Sequence, residues 1–134
     1  MPAQPFDWSQ FYLLAKELAT RDGEACHRSS LSRAYYYVYN IALARAVRNG
    51  YARREGESSH AQLWRVYSLS PEPECVRLGQ VGLRLKGKRE QADYEKHYPR
   101  IHDELPILLN DAEDFAGRLA SLAPRFPNPA SMRQ

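Results

Sequence analysis

At 134 residues the chain has the length of one domain, enough to bury a core without metals or disulfides as staples. Its net charge of +3 and pI near 8.9 are too mild for a dedicated duplex-DNA binder, whose phosphate contacts need a clear basic excess. Cys26 and Cys75 stand far apart with no CxxC or Cys/His spacing, which argues against a disulfide framework or a zinc site. The start Met-Pro-Ala-Gln-Pro-Phe-Asp lacks a signal-peptide pattern, and no stretch approaches the ~18 uninterrupted apolar residues of a membrane span. A cytoplasmic protein without membrane contact is expected.

In chain order, Asp7 and Gln10 form a candidate capping box, with Phe6 and Phe11 placed for a hydrophobic staple. The first helix then runs to about Thr20 on the apolar spacing of Phe11, Leu14, Ala15 and Leu18, and Asp22-Gly23 ends it. The second spans Glu24 to Asn49 without Pro or Gly. Leu31, Ala34, Tyr35, Val38, Ile41, Ala42 and Ala46 make one stripe along it, and Gly50 offers a C-terminal cap. After a loop over Tyr51 to Glu57, Ser58 or Ser59 caps a short third helix through Leu63, Trp64 and Tyr67, which Ser70-Pro-Glu-Pro stops.

The fourth helix begins near Pro73 or Glu74 and continues to about Glu95. Gly79, Gly82 and Gly87 each cost on the order of 1 kcal/mol in a helix interior, so they either admit a closely packed neighbour or mark a break. The fifth is the run Ile107, Leu108, Leu109, Phe115, Leu119 and Leu122, ending before Pro124. No alternating strand pattern is present. The expectation is an all-α antiparallel bundle over residues 1–123, with helices two and four as its central pair and a disordered tail over 124–134.

Charge is distributed unevenly. Arg77, Arg84, Lys86, Lys88 and Arg89 form a run without an acid, whereas Asp103, Glu104, Asp111, Glu113 and Asp114 form one without a base. The basic run either attracts an anionic partner or is, with the acidic one, an ordinary solvated face.

Four tyrosines crowd Ser32-Arg33-Ala34-Tyr35-Tyr36-Tyr37-Val38-Tyr39-Asn40 and cannot all face one core. Spacing puts Tyr35 and Tyr39 on the core side with Ala42, and Arg33, Tyr36, Tyr37 and Asn40 on the polar side. That polar face is expected to be covered in part by a second copy, and Arg33 to reach Asp93. In Lys88-Arg89-Glu90-Gln91-Ala92-Asp93-Tyr94-Glu95, Arg89 and Asp93 are placed to pair along the helix. His97 and His102 have no acidic or cysteine partner at ligand spacing, and Gly79-Gln80-Val81-Gly82 lies in a helical pattern without the strand a phosphate loop needs. No metal or cofactor is expected, and His27 is read as a surface residue.

The Ser-Arg-Ala-Tyr-Tyr and Arg-x-x-Ala-Asp-Tyr segments, in this order on two bundle helices, resemble those of small stand-alone HEPN proteins. The likeness extends from about Phe6 to Leu122. The resemblance implies a homodimeric helical bundle of a bacterial toxin-antitoxin or phage-defence system, acting on RNA as a metal-independent ribonuclease, with a cognate antitoxin or defence-system protein as a further partner. It also implies an Arg and a His with four to six residues between them, the His moving a proton and the Arg stabilising phosphorane charge. Arg89 would be that arginine.

The chain departs from this pattern, because the matching positions after Arg89 hold Tyr94, Glu95 and Lys96, and His97 comes one residue too late. Arg54 and His60 have the right separation but straddle a loop. At Asn40, where many relatives carry a histidine, there is none. The candidate catalytic residues are therefore Arg89, Tyr94, His60 and His97, and the candidate RNA- or partner-binding cleft comprises Arg33, Tyr36, Tyr37, Asn40, Asp93, Arg84 and Lys88. The alternative function is a HEPN module without catalysis that binds RNA, a nucleotide or a partner protein.

Overall fold

A computed structural model of the protein describes residues 4–132. Five helices make up the bundle: α1 (Ser9–Ala19), α2 (Glu24–Arg48), α3 (Ser59–Ser68), α4 (Pro73–Tyr94) and α5 (Ile101–Ser121). There is no strand among the described residues, and none of the helices is long and apolar enough to cross a membrane. Cys26 and Cys75 are both free.

At the start of α1, Phe6 and Phe11 meet edge to face at 5.5 Å, the contact their spacing predicts. The Asp7 carboxylate takes the Ser9 N–H at 3.0 Å and the Ser9 hydroxyl at 2.7 Å, rather than forming a reciprocal box with Gln10. Helix α2 packs against α1, α4 and α5, and more lightly against α3, so it is the axis of the bundle. It ends in a Schellman motif: Gly50 has φ +103°, its N–H reaches the Val47 carbonyl, and the Tyr51 N–H reaches Ala46.

Two arginines of α2 hold the ends of other helices. Near its N-terminus, Arg28 donates to the carbonyls of Ala92 at 3.1 Å and Lys96 at 3.3 Å, and also to that of Glu95, closing the C-terminus of α4. Near its C-terminus, Arg45 is 7% exposed and donates to the carbonyls of Leu119, Leu122, Ala123 and Phe126 at 2.8–3.0 Å. The last carbonyls of a helix have no intrahelical partner and carry the negative end of its dipole, so a guanidinium satisfies both needs.

That clasp overturns the expectation of a disordered tail for its described part. Asn49 binds the carbonyls of Pro124 and Pro127, Pro127 is buried, and Pro129–Ser131 forms a 3-10 turn. Residues 133–134 lie outside the described residues.

Helix α5 begins six residues before Ile107. Ile101, Leu105, Leu108, Ala112, Phe115 and Leu119 form one buried stripe that continues through Pro106. A proline this close to a helix start forfeits one hydrogen bond, and burying Ile101 and Leu105 offsets it.

Of the α4 glycines, two admit a neighbour. A Cβ on Gly82 would lie 2.4 Å from the Trp64 ring, and one on Gly79 would lie 2.9 Å from the Ser68 backbone nitrogen, so α3 rests directly on the α4 backbone. Gly87 faces open space. Gly82→Ala is therefore expected to lower stability by about 1–3 kcal/mol through overpacking, while Gly87→Ala raises it by roughly 0.5–1 kcal/mol through helix propensity. Urea unfolding midpoints of the two variants check both signs. Arg45→Lys, unable to span four carbonyls, is expected to cost at least about 1.5–3 kcal/mol in the same assay.

Candidate functional site

The tyrosine run of α2 divides as its spacing predicts for two residues and not for a third. Tyr35 and Tyr39 are core residues. Tyr36 is half-buried on the side facing α4, whereas Tyr37 turns to α1, where its ring lies 5.5 Å from Tyr12. Part of the aromatic surface that a second copy was expected to cover is thus packed within the chain itself.

Helix α3 brings His60 onto this surface. Its ring stacks on Tyr39 at 4.1 Å with a 12° interplanar angle, and meets Tyr35 at 5.6 Å and the edge of Tyr36 at 5.9 Å. Its Nδ1 is 2.7 Å from the Tyr35 hydroxyl, which accepts the Trp64 indole N–H at 3.0 Å. Burial, assisted by the positive charges of Arg89 and Lys86, pushes the imidazole below its ordinary value of 6.5. At neutral pH His60 is an uncharged imidazole, the form able to take up a proton.

Arg89 reaches the same surface from α4. Its guanidinium carbon lies 5.1 Å from the Tyr35 ring, 5.4 Å from Tyr36 and 5.8 Å from Tyr94, and the residue is 6% exposed. Its one ion pair among the described residues is with Asp93, at 3.6 Å too long for a good hydrogen bond, and its buried Nε has no partner. A buried guanidinium with donors left open is costly, and an anion docking beside it would relieve that cost. Arg89 and His60 therefore border the same two tyrosines, a donor and a neutral proton carrier near enough for the charge of one to act on the other.

Asp93 accepts a hydrogen bond from Ser32 at 3.2 Å. The expected reach of Arg33 to Asp93 is not found, because the Arg33 guanidinium sits 4.7 Å over Phe11 and 5.1 Å over Tyr36. Ser32 makes the link between α2 and α4 instead. Arg33 still approaches the ring that Arg89 touches, and it has no hydrogen-bond acceptor among the described residues.

The other candidates fall elsewhere. Arg84 pairs with Asp111 at 2.6 Å and Lys88 with Glu104 at 2.9 Å, so these two members of the basic run face acids of α5. Asn40 donates to the Tyr36 carbonyl of its own helix at 2.7 Å. His97 is exposed between α4 and α5 and makes none of the contacts that define the cluster. Tyr94 borders it and is 76% exposed. The Arg54 to His60 spacing joins no site, since the Arg54 backbone is held by Gln62 while His60 turns to α2. His27 is buried at 9% exposure, its Nε2 is 2.9 Å from the Arg21 carbonyl, and its ring is 5.3 Å from His102. Among the described residues no group of three or more His, Cys, Asp or Glu side chains could hold a metal ion.

An open depression of about 690 Å³ lies apart from this cluster, between the start of α4 and the end of α5, and the Glu74–Arg118 ion pair crosses it. Arg118 there is paired with both Glu74 and Asp114, which makes it the weaker site despite its size. Compared with known proteins, the chain matches no family model, no curated protein and no solved structure.

Sequence reasoning missed Trp64 and Tyr35 as partners of His60. The available signal was an indole four residues after a histidine on one helix face, opposite a core tyrosine with a hydroxyl to satisfy. The geometry yields one direct measurement. An NMR titration should give His60 a midpoint below 6.5, and Arg89→Gln should move it part of the way back. Because the unfolded chain takes up this proton at the ordinary value and the folded chain only at lower pH, the contribution to stability is present above about 6.5 and is lost as pH falls through the folded value.

Proposed function

We propose that the Arg89–His60 cleft binds a phosphodiester of RNA and cleaves it without a metal ion, as a HEPN-like ribonuclease whose histidine is carried by α3. The observation that carries this reading is the buried, incompletely partnered Arg89 beside a neutral imidazole on one tyrosine surface. Support also comes from the two segments that carry the resemblance, Ser32 to Tyr36 and Arg89 to Tyr94, which meet through Ser32 and Asp93.

In the proposed step the ribose 2′-hydroxyl loses its proton to His60 Nε2, and its oxygen attacks the adjacent phosphorus. The bond from phosphorus to the 5′ oxygen breaks, leaving a 2′,3′-cyclic phosphate, and the imidazolium returns its proton to the departing oxygen. Arg89 stabilises the charge that builds on the phosphoryl oxygens between these events. The open Tyr94 ring beside it offers a stacking face to an unpaired base. A homodimer, and a cognate antitoxin or defence-system protein that covers the cleft, belong to the same reading.

A second reading, a cleft that holds RNA, a nucleotide or a partner protein without cleaving, is favoured by Tyr94. At the first position where the resemblance calls for an imidazole stands a phenol, a poor base at neutral pH.

Incubation of purified protein with single-stranded RNA in EDTA separates the two. Cleavage is expected to survive the chelator and to leave cyclic phosphate ends. Arg89→Ala should lower the rate about 10²–10³-fold, and His60→Ala about 10²–10⁴-fold, whereas His97→Ala leaves it unchanged. RNA retained without cleavage across the neutral pH range would replace the ribonuclease by the binding module.

A further inference from the structure

The hydroxyl of Tyr35 stands between two nitrogens, and only one arrangement of hydrogens satisfies all three atoms. Trp64 Nε1 is a donor only, so the phenol oxygen must accept from it. The single phenolic hydrogen lies in the ring plane and has two directions open to it. The indole, a donor only, cannot take that hydrogen, and His60 Nδ1 is the acceptor found at the hydroxyl among the described residues. The separation of 2.7 Å there is the usual length for an O–H donor and short for an N–H donor. Tyr35 is wholly buried, so a hydrogen turned away from His60 would have no water to meet. Burial also pushes the hydroxyl well above the ordinary phenol value, which keeps that hydrogen in place.

We infer that Tyr35, held by Trp64, is a positioning residue that sets the resting tautomer of His60 with its proton on Nε2. The chemical consequence rests on the reading of the cleft as an RNA site. In the resting protein His60 Nε2–H, Arg89 and Arg33 all offer donors, so the cleft is built first to receive a phosphate. His60 becomes a base only after its Nε2 proton passes to solvent and Nδ1 takes one up from solvent, with the Tyr35 hydroxyl turning over to accept the new Nδ1–H, which leaves the Nε2 lone pair open. Tyr35 and Trp64 thereby favour binding over turnover, and loosening them should speed the chemical step. The other groups facing the imidazole, Arg89, Lys86 and Glu90 on α4 and Tyr36 and Tyr39 on α2, make no hydrogen bond to Nδ1.

The decisive measurement is the pair of ring-nitrogen shifts of His60 in ¹⁵N-labelled protein above the midpoint of its titration. One tautomer with Nε2 protonated is expected. A protonated Nδ1, or an even mixture, overturns the inference whatever RNA does.

In Tyr35→Phe the two tautomers should mix. Single-turnover cleavage should then rise a few-fold while RNA affinity falls, a split that a merely structural loss would not produce. If Tyr35→Phe keeps the wild-type tautomer, Tyr35 does not set it and the inference fails. Should that variant not fold, Trp64→Phe serves in its place, because removing the indole N–H opens the second direction for the hydroxyl and should also mix the tautomers. An unchanged tautomer there overturns the role of the indole. Absence of cleavage in wild type and variants together with the expected tautomer defeats the ribonuclease and leaves the positioning role of Tyr35 standing.

Discussion

The bundle depends on the way α2 satisfies the carbonyl ends of two other helices. Arg28 closes α4 and Arg45 closes α5, and since these arginines lie toward opposite ends of one unbroken helix, they fix where each neighbour stops along the axis. Buried carbonyls without partners would each cost on the order of 1–3 kcal/mol, and a guanidinium without acceptors would cost more, so neither side can be satisfied without the other. The direction of packing follows. Helix α4 ends where α2 begins, so the two run antiparallel, while α5 ends where α2 ends and runs alongside it.

With α4 held in this register, Arg89 falls opposite the middle of α2, where Tyr35 and Tyr36 face it. Helix α3 is set by a different constraint, the missing side chains of Gly79 and Gly82, which let Trp64 lie on the α4 backbone. Seating Trp64 there brings the first turn of α3, and with it His60, to the same two tyrosines. The candidate site is thus a three-helix junction whose members have no local relation in the chain.

Electrostatics sharpens the contrast between this junction and the rest of the surface. The basic run of α4 and the acidic run of α5 meet in part, through Arg84 with Asp111 and Lys88 with Glu104. Pairs as exposed as these contribute little stability, but they remove charge that would otherwise draw an anion to that side of the helix. Arg89 points the other way, into an aromatic setting where its single carboxylate partner stands at 3.6 Å. Of the basic run of α4, Arg89 therefore has the longest ion pair, and it lies where the neutral imidazole does.

Several features were legible in the sequence because they are local. Helical spacing identified α1 to α4 nearly to their ends, the Phe6–Phe11 staple, and Tyr35 and Tyr39 as core residues. Arg89 and His60 could be named as chemically apt side chains, but the spacing that seemed to link His60 to Arg54 was an accident of a loop. What the chain order hid was decided by tertiary contacts. The apolar run that signals the fifth helix starts at Ile107, yet the buried stripe of α5 extends back through Pro106 to Ile101. The segment after Pro124 looked unstructured because its composition is poor in large apolar residues, yet Arg45 and Asn49 bind its backbone, which composition does not describe. Sequence by itself determined an all-helical bundle and a short set of apt residues, because period and capping are properties of neighbours along the chain. Only the tertiary structure decided which of them come together, because the approach of His60 and Arg89 to the same tyrosines depends on two glycines admitting an indole and on arginine clasps that set the register of separate helices.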